Sequence, residues 1–393
     1  MAITLTREHA VGVIGAGTMG TGIAQVASTY GHEVYLYDIS DQARQRSKQG
    51  LVIILNRQVE KNRMTRDEVD GIIDRIRYVD SIPKLKKCHL IIEAIIEKLD
   101  VKKKTFNKLE QVVPEDAILS TNTSSLSVAS ISSALDRPNR FLGTHFFNPA
   151  PLMPLVEIIP GIPTSEEAVQ AARSLIDDWG KTTAIAKDTP GFIVNRVARP
   201  FYSEAIRQLE EGVADVPTID WAMKEIGGFK MGPFELMDFI GHDVNYKVTE
   251  TVFEAFYYDP RFKPSFSQKR LVEAGFLGRK NERGFYDYRD GASKPEPNKD
   301  PKLGRKIFNR ILVMLFNEAA DAVFMNVASV EDIDKAMTKG VNYPKGLLKW
   351  ADEWGLDTVL DQLDALQDEY GEDRYRPNPL IKRMVRSGSK FYK

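Results

Sequence analysis

The hexapeptide Gly15-Ala16-Gly17-Thr18-Met19-Gly20 follows directly on an apolar run, His9 to Ile14, and opens a helical stretch that reaches Thr29. A second apolar run, EVYLYD, comes just after Gly31. Strand, glycine turn, helix and strand within about 30 residues make a βαβ unit, which commits the chain to a parallel sheet with helices on its faces. The three glycines have separate tasks. The first permits the tight turn, the second lets backbone approach a pyrophosphate, and the third lets helix and strand pack closely. Asp38 ends the second run, 18 residues after Gly20. A carboxylate there can hold a ribose 2′-hydroxyl and repels a 2′-phosphate, and no arginine follows it directly, so NAD is favoured over NADP. The plainer alternative is a glycine turn with a helix-capping aspartate.

The chain has 393 residues, too many for one typical domain. Hydrophobic residues make up 42% and charged residues 28%, enough apolar material for a sizeable core. A formal net charge of −1 gives no global field for nucleic acid or membrane, so neither is expected as a partner. No apolar run approaches the ~18 residues of a membrane span. The N-terminal stretch reaches strand-like sequence by residue 10 and leaves no room for a leader, so a cytoplasmic location is expected. The only cysteine, Cys88, excludes an internal disulfide, fits a reducing compartment and reads as a packed strand residue.

Residues 41–77 interrupt the α/β alternation with two amphipathic helices, the second opened by a capping box at Thr65–Glu68. HLIIEAI and AILSTNTS read as buried strands around a helix near Val101–Val112; FLGTHFFN, LVEIIP and TTAIAKD are further strands. Thr164–Glu167 has the form of a second capping box, for a helix that stops at Gly180. From Pro190 onward the chain reads as helical and repeats itself. A shift of 114 residues brings Asn195-Arg196 onto Asn309-Arg310, Glu204 onto Glu318, Asp220 onto Asp334, Gly232 onto Gly346, Asp238 onto Asp352 and Gly241 onto Gly355. So many ungapped matches indicate two copies of one helical domain. RDGASKPEPNKDPK, between them, reads as a linker. The expected fold is an α/β Rossmann-type nucleotide domain over 1–188, with a helical insertion at 41–80. Two all-α domains related by the repeat follow at 189–290 and 301–393.

Two regions carry candidate chemistry beyond the glycine loop. Between Asp41 and Arg66 lie seven basic residues, Arg44, Arg46, Lys48, Arg57, Lys61, Arg63 and Arg66, opposed only by Asp41 and Glu60. This excess suggests an anionic ligand, against the ordinary alternative of a solvated helix face. At the carboxyl end of one strand, STNTSS places Asn122, Ser124 and Ser125 where open α/β sheets bind ligands. THFFNP puts His145 near the end of the next strand, and Glu157 stands inside the apolar LVEII twelve residues later. A carboxylate in an apolar strand requires a partner. If the Pro149–Pro154 bend folds the two strands together, Glu157 can hold one ring nitrogen of His145 and leave the other for proton transfer. A purely structural His–Glu pair is the alternative.

With these residues the chain resembles the L-3-hydroxyacyl-CoA dehydrogenases of fatty-acid and aromatic-acid breakdown. GAGTMG, STNTSSL, THFFNPAPLMPLVEI, KDTPGFIVNR, MGPFELMD and GRKNERGFYDY look like that family's motifs, in its order, over residues 9–288. The resemblance implies an NAD-dependent enzyme that oxidises a short 3-hydroxyacyl-CoA, such as a hydroxybutyryl or hydroxyadipyl thioester. It implies His145 as general base with Glu157 orienting it, and Ser124 and Asn195 bonded to the reacting oxygen or thioester carbonyl. It places Asp38, Glu97, Lys102, Asn122, Ser124, Asn148 and Lys280 around NAD, and Lys61 and Ser124 near the CoA thioester. Where mammalian-type members set a serine against CoA, this chain has Ile54, so that contact is not carried over. No metal is expected.

The second helical copy has no STNTSS or HFFNP of its own ahead of it, so one active site per chain is expected. The copies would then pack as an intramolecular pseudo-dimer, with a homodimer of whole chains also compatible. Two other readings stay open: a dehydrogenase of free hydroxy or sugar acids, like L-gulonate dehydrogenase, and a non-catalytic NAD-binding scaffold.

Overall fold

The computed structural model describes residues 5–392. The chain divides into two compact units, residues 1–189 and 190–393.

The first unit is built on an eight-stranded sheet. Its strands are β1 (Ala10–Ile14), β2 (Val34–Tyr37), β3 (Ile76–Val79), β4 (Cys88–Glu93), β5 (Ile118–Thr121), β6 (Phe141–Phe146), β7 (Leu155–Pro160) and β8 (Thr182–Ile185). Their order is β3-β2-β1-β4-β5-β6-β7-β8. All neighbours run parallel except β6 and β7. Helices α1 (Thr18–Thr29), α2 (Asp41–Glu60), α3 (Arg66–Asp74), α4 (Leu99–Glu110), α5 (Val128–Ser132) and α6 (Glu166–Asp178) complete the unit. The core strands are covered on both faces, which is why β1 and every residue of β4 but His89 are buried and read as near-continuous apolar runs. The strand order reverses between β1 and β4, and such a switch point opens a crevice at the carboxyl ends of the strands.

Two local expectations are corrected. The insertion at 41–80 is not wholly helical, because it ends in strand β3, which pairs with β2 at the sheet edge. Arg77 is exposed on that four-residue strand, so no apolar run announces it. The Thr65–Glu68 capping box is present, but the one expected at Thr164–Glu167 is not. Ser165 caps α6 by accepting from Ala168 N–H, while the Thr164 hydroxyl accepts from Gly161 N–H and donates to the Phe141 carbonyl.

Cys88 is fully buried in β4, and burial pushes its thiol up to about 12. Thiolate reagents at pH 8 are therefore expected to label the folded protein negligibly and the denatured protein completely. Rapid labelling without denaturant would contradict this packing.

Among its described residues the second unit is helical: α7 (Val194–Val197), α8 (Arg199–Glu210), α9 (Val216–Trp221), α10 (Pro233–Ile240), α11 (His242–Ala255) and α12 (Phe266–Glu273), then α13 (Pro301–Phe324), α14 (Val330–Gly340), α15 (Leu347–Trp354), α16 (Leu356–Tyr370) and α17 (Pro379–Ser387). The 114-residue offset carries α10 onto α15 and the starts of α9 and α11 onto those of α14 and α16. Side-chain contacts repeat as well. Asp220 accepts from Phe234 N–H, Glu235 N–H and Tyr286 hydroxyl, and Asp334 accepts from Leu348 N–H, Lys349 N–H and Tyr392 hydroxyl.

The two copies meet through α8 and α13, with reciprocal ion pairs. Arg196 of the first copy bonds Glu318 of the second at 2.7 Å, and Arg310 of the second bonds Glu204 of the first at 3.1 Å. Residue i contacting j while the equivalent of j contacts the equivalent of i is the signature of a two-fold interface. Here it is formed within one chain. The linker between the copies lacks helix or strand up to Asp300, which caps α13. It is held at Lys294 by Glu235 and at Asn298 by the Thr218 hydroxyl.

Candidate active site

The glycine loop takes the shape its residues require. Gly15 has φ +105°, a conformation unfavourable for other residues, and a Cβ at Gly20 would lie 1.8 Å from the Gly15 carbonyl oxygen. At Gly17 a Cβ would meet nothing within 4 Å. Gly17 is the N-cap of α1 and offers no side-chain cap, so the first N–H groups of the helix, from Thr18 and Met19, have no partner within the helix. Open space in front of unpaired N–H groups at a helix N-terminus fits a pyrophosphate. Asp38 is held against this loop. Its Oδ2 accepts from Ala16 N–H at 2.8 Å and its Oδ1 from Ser40 N–H at 2.8 Å. Arg44 donates to the Asp38 carbonyl and to Asp41, so the nearest cation is already engaged.

A cleft of about 930 Å³ brings Ala16, Gly17, Thr18, Asp38 and Asn148 together. Of the seven basic residues in the insertion only Arg46 lines it, beside Ile54 of the same helix. Lys61 caps the far end of α2 and is exposed. The cleft also holds residues that the sequence did not single out. Ser47, buried, hydrogen-bonds Thr21 at 2.7 Å and ties α2 to α1. Lys181 donates to the carbonyls of Ala150 and Met153, and burial brings its pKa down to about 8. Nothing in the pattern around Lys181 sets it apart, because its role depends on where the Pro149–Pro154 bend returns.

A second cluster forms at the carboxyl ends of β4 and β5. Glu97 accepts from the Thr123 hydroxyl, from Ser124 N–H at 3.1 Å and from the Ser125 hydroxyl at 3.1 Å. Burial works to raise the Glu97 pKa, but Lys102 and the hydroxyls outweigh it and hold the carboxyl below its usual range. Lys102 is 1% exposed, with its ammonium 2.6 Å from Glu93 and 3.2 Å from Glu97. It thus sits beneath the cluster with two carboxylates on it. Asn122 accepts from Phe146 N–H at 2.8 Å, which ties the end of β5 to the residue after His145.

His145 and Glu157 face each other directly across the antiparallel β6–β7 pair. Residues opposed in this way have side chains close enough to interact without any further device. The ring Nδ1 lies 2.6 Å from Glu157 Oε2, with His145 6% exposed and Glu157 fully buried. The imidazole also packs on Phe147, ring centres 4.5 Å apart. A carboxylate held on one ring nitrogen fixes the orientation of the imidazole. Asn195 and Lys280 belong to the helical unit, where Asn195 lies in α7 and Lys280 pairs with Asp243.

Known proteins share this arrangement of chain. Residues 10–189 match the NAD binding domain of 3-hydroxyacyl-CoA dehydrogenase, and residues 191–288 and 307–393 match its C-terminal domain. The 3-hydroxyadipyl-CoA dehydrogenase of Escherichia coli K12 is 38% identical over 95% of this chain and 96% of its own. A 3-hydroxybutyryl-CoA dehydrogenase of Bradyrhizobium diazoefficiens is 44% identical over 74% of this chain and 98% of its own. Among solved structures, a 3-hydroxybutyryl-CoA dehydrogenase from Escherichia coli K12 superposes with a TM-score of 0.92 at 37% identity, covering 98% of this chain and 100% of that one.

Proposed function

Because the chain belongs to the 3-hydroxyacyl-CoA dehydrogenase family, and so is an NAD-dependent oxidoreductase that converts a 3-hydroxyacyl-CoA to the 3-oxoacyl-CoA, we propose that His145 is its general base and Glu157 the residue that orients it. The observation that carries this is the 2.6 Å contact between buried, directly opposed side chains on β6 and β7.

NAD, when bound, supplies the acceptor for the hydride that leaves C3 of the substrate. The remaining work belongs to the chain. The N-terminus of α1 and Gly17 receive the pyrophosphate, and Asp38 the ribose hydroxyls. His145 takes the proton of the 3-hydroxyl, and Glu157 stabilises the imidazolium that results. Ser124 and Asn195 hydrogen-bond the reacting oxygen or the thioester carbonyl. Glu97 lies beside NAD and holds the Thr123–Ser125 turn in place, whereas Lys102, expected at NAD, is buried against Glu93 and Glu97 and acts as a positioning residue. Asn122, Asn148 and Lys280 complete the NAD surroundings, and Lys61 lies toward the CoA. The paired helical copies take the role that two subunits' C-terminal domains play in shorter relatives. No helix among the described residues is long and apolar enough to cross a membrane, and the lone buried thiol suits a reducing, cytoplasmic setting.

The direct test is consumption of NADH with acetoacetyl-CoA, run beside NADPH and free acetoacetate. Turnover is expected only for NADH with the thioester. Equal use of NADPH would remove the assigned role of Asp38, and turnover of the free acid alone would move the substrate away from CoA thioesters.

A further inference from the structure

Within the helical unit the two copies differ in what they bury. At the offset of 114 residues, Arg199 of α8 corresponds to Val313 of α13, and Thr249 of α11 to Leu363 of α16. Val313 and Leu363 are fully buried. The contrast runs back along α11, whose buried His242 and Asn245 correspond to the buried Leu356 and Val359 of α16. The polar set is connected. Gln268 of α12, also buried, donates to Asn245 Oδ1 at 3.0 Å and lies 3.3 Å from His242 Nδ1. The Thr249 hydroxyl donates to the Asn245 carbonyl and accepts from Arg199 Nη1, each at 3.0 Å. One copy thus fills this interior with aliphatic side chains, and the other with a polar network that ends on a guanidinium. Buried polar groups that the equivalent fold does without are expected at a site rather than in a scaffold.

The guanidinium itself is incompletely paired. Arg199 is 5% exposed, its buried Nε has no hydrogen-bond partner, and among the described residues no carboxylate lies within ion-pair distance of it. The other buried arginines of the unit have one: Glu318 for Arg196, and Glu204 for both Arg310 and Arg374. Burial lowers the Arg199 pKa, with only Tyr202 and Tyr343 acting against that. A buried cation in this state calls for an anion.

Space for one is present. A cavity of about 300 Å³, all of whose walls belong to the helical unit, is lined by Arg199, Tyr202 and Ile206 from α8, Thr249 from α11 and Gln268 from α12. That volume is at the lower end of the range for small-molecule pockets. The other arginines on its wall are engaged, Arg207 by Glu211 and Glu372 and Arg374 by Glu204. Its carboxylates, Glu210 and Glu211, stand about three turns along α8 from Arg199, so the Arg199 end is the cationic one. A guanidinium binds a carboxylate through two parallel hydrogen bonds. Tyr202 and Ile206, one and two turns along the same stripe of α8, add apolar surface that a hydrocarbon body covers and a bare inorganic ion leaves uncovered. We propose that this cavity binds a small free carboxylic acid, with its carboxylate on Arg199 and its hydrocarbon against Tyr202 and Ile206. The site is independent of the reaction assigned to His145.

The experiment is calorimetric titration of the full chain with hexanoate, beside its uncharged counterpart hexanamide and inorganic phosphate. Wild type is expected to bind hexanoate about 10–100-fold tighter than hexanamide, and tighter than phosphate. Arg199→Val, which repeats the second copy's choice at this position, should abolish the preference for hexanoate without lowering the melting temperature. Arg199→Gln, neutral but still able to donate to Thr249, should lose the preference in the same way and serves if the valine variant does not fold. Absence of hexanoate binding, equal affinity for hexanamide, or tighter binding of phosphate overturns the proposal. So does hexanoate binding that persists in a folded Arg199 variant. If both variants fail to fold, the arginine is structural and the site assignment falls with it.

Discussion

His145→Ala is expected to lower kcat by about 10²–10⁴-fold while NADH binding, followed by fluorescence titration, is unchanged. The separation of effects follows from where the parts stand. Gly17, Thr18 and Asp38 line the cleft at the start of α1 and just past β2, whereas His145 and Glu157 belong to β6 and β7 and are not among its lining residues. Removing the imidazole leaves Glu157 buried without its ring, so the melting temperature has to be measured beside the rate. Glu157→Gln separates the two effects. It keeps the size of the side chain and a hydrogen-bonding group for Nδ1, but removes the charge that stabilises an imidazolium. Slower turnover with retained NADH affinity is expected, with an altered pH dependence of kcat/KM. Near-normal turnover in His145→Ala would take His145 out of the reaction. A Glu157→Gln enzyme that melts early yet turns over at the wild-type rate and pH profile would reduce the pair to a structural one.

The second large effect concerns stability. Glu204 accepts from Arg310, Arg374 and the Tyr375 hydroxyl, all buried, and Glu318 accepts from Arg196 and Arg261. Replacing either glutamate by leucine removes one carboxylate from buried guanidinium groups, leaving Arg310 with Glu211, Arg196 with Asp321 and Arg374 with the 3.7 Å contact to Glu372. Complete loss of the partner of a buried charge costs about 3–5 kcal/mol, and the carboxylates that remain hold the cost here to the lower part of that range. In a unit of this size the melting temperature should drop on the order of 10 °C. Glu204→Leu and Glu318→Leu should cost similar amounts, since the two positions are related by the repeat. A Glu204→Leu, Arg374→Met double variant should recover part of the loss if an under-compensated charge is the cause, because Arg374 depends on Glu204 most. Little change in either single variant would mean that water reaches these groups and that the reciprocal pairs do not hold the copies together.

Local chemistry was legible in the sequence wherever a residue type contradicted its surroundings. Glu157 within an apolar strand demanded a partner, and register supplied His145. The glycine loop was legible for the same reason, since three glycines between a strand and a helix have few structural uses. What could not be read depended on contacts distant in sequence. Thr164 and Ser165 are adjacent hydroxyl residues before one helix, and the choice between them was settled by the carbonyl of Phe141, which draws Thr164 away. The basic run from Arg44 to Arg66 looked like one anionic site, yet helix geometry turns only Arg46 toward the cleft. Strand β3 lies at the sheet edge and lacks the pattern of its buried neighbours.

The crosswise Arg196–Glu318 and Arg310–Glu204 pairs have a consequence for behaviour on dilution. Between separate subunits such a surface obeys mass action: it dissociates as concentration falls, and stability rises with the amount of protein. A short tether replaces that dependence with a fixed effective concentration, in the millimolar range for flexible linkers. The interface should therefore stay closed however little of the protein is present. Each half also presents its own residues to the seam, so one substitution alters it once rather than twice, and the two halves can change independently.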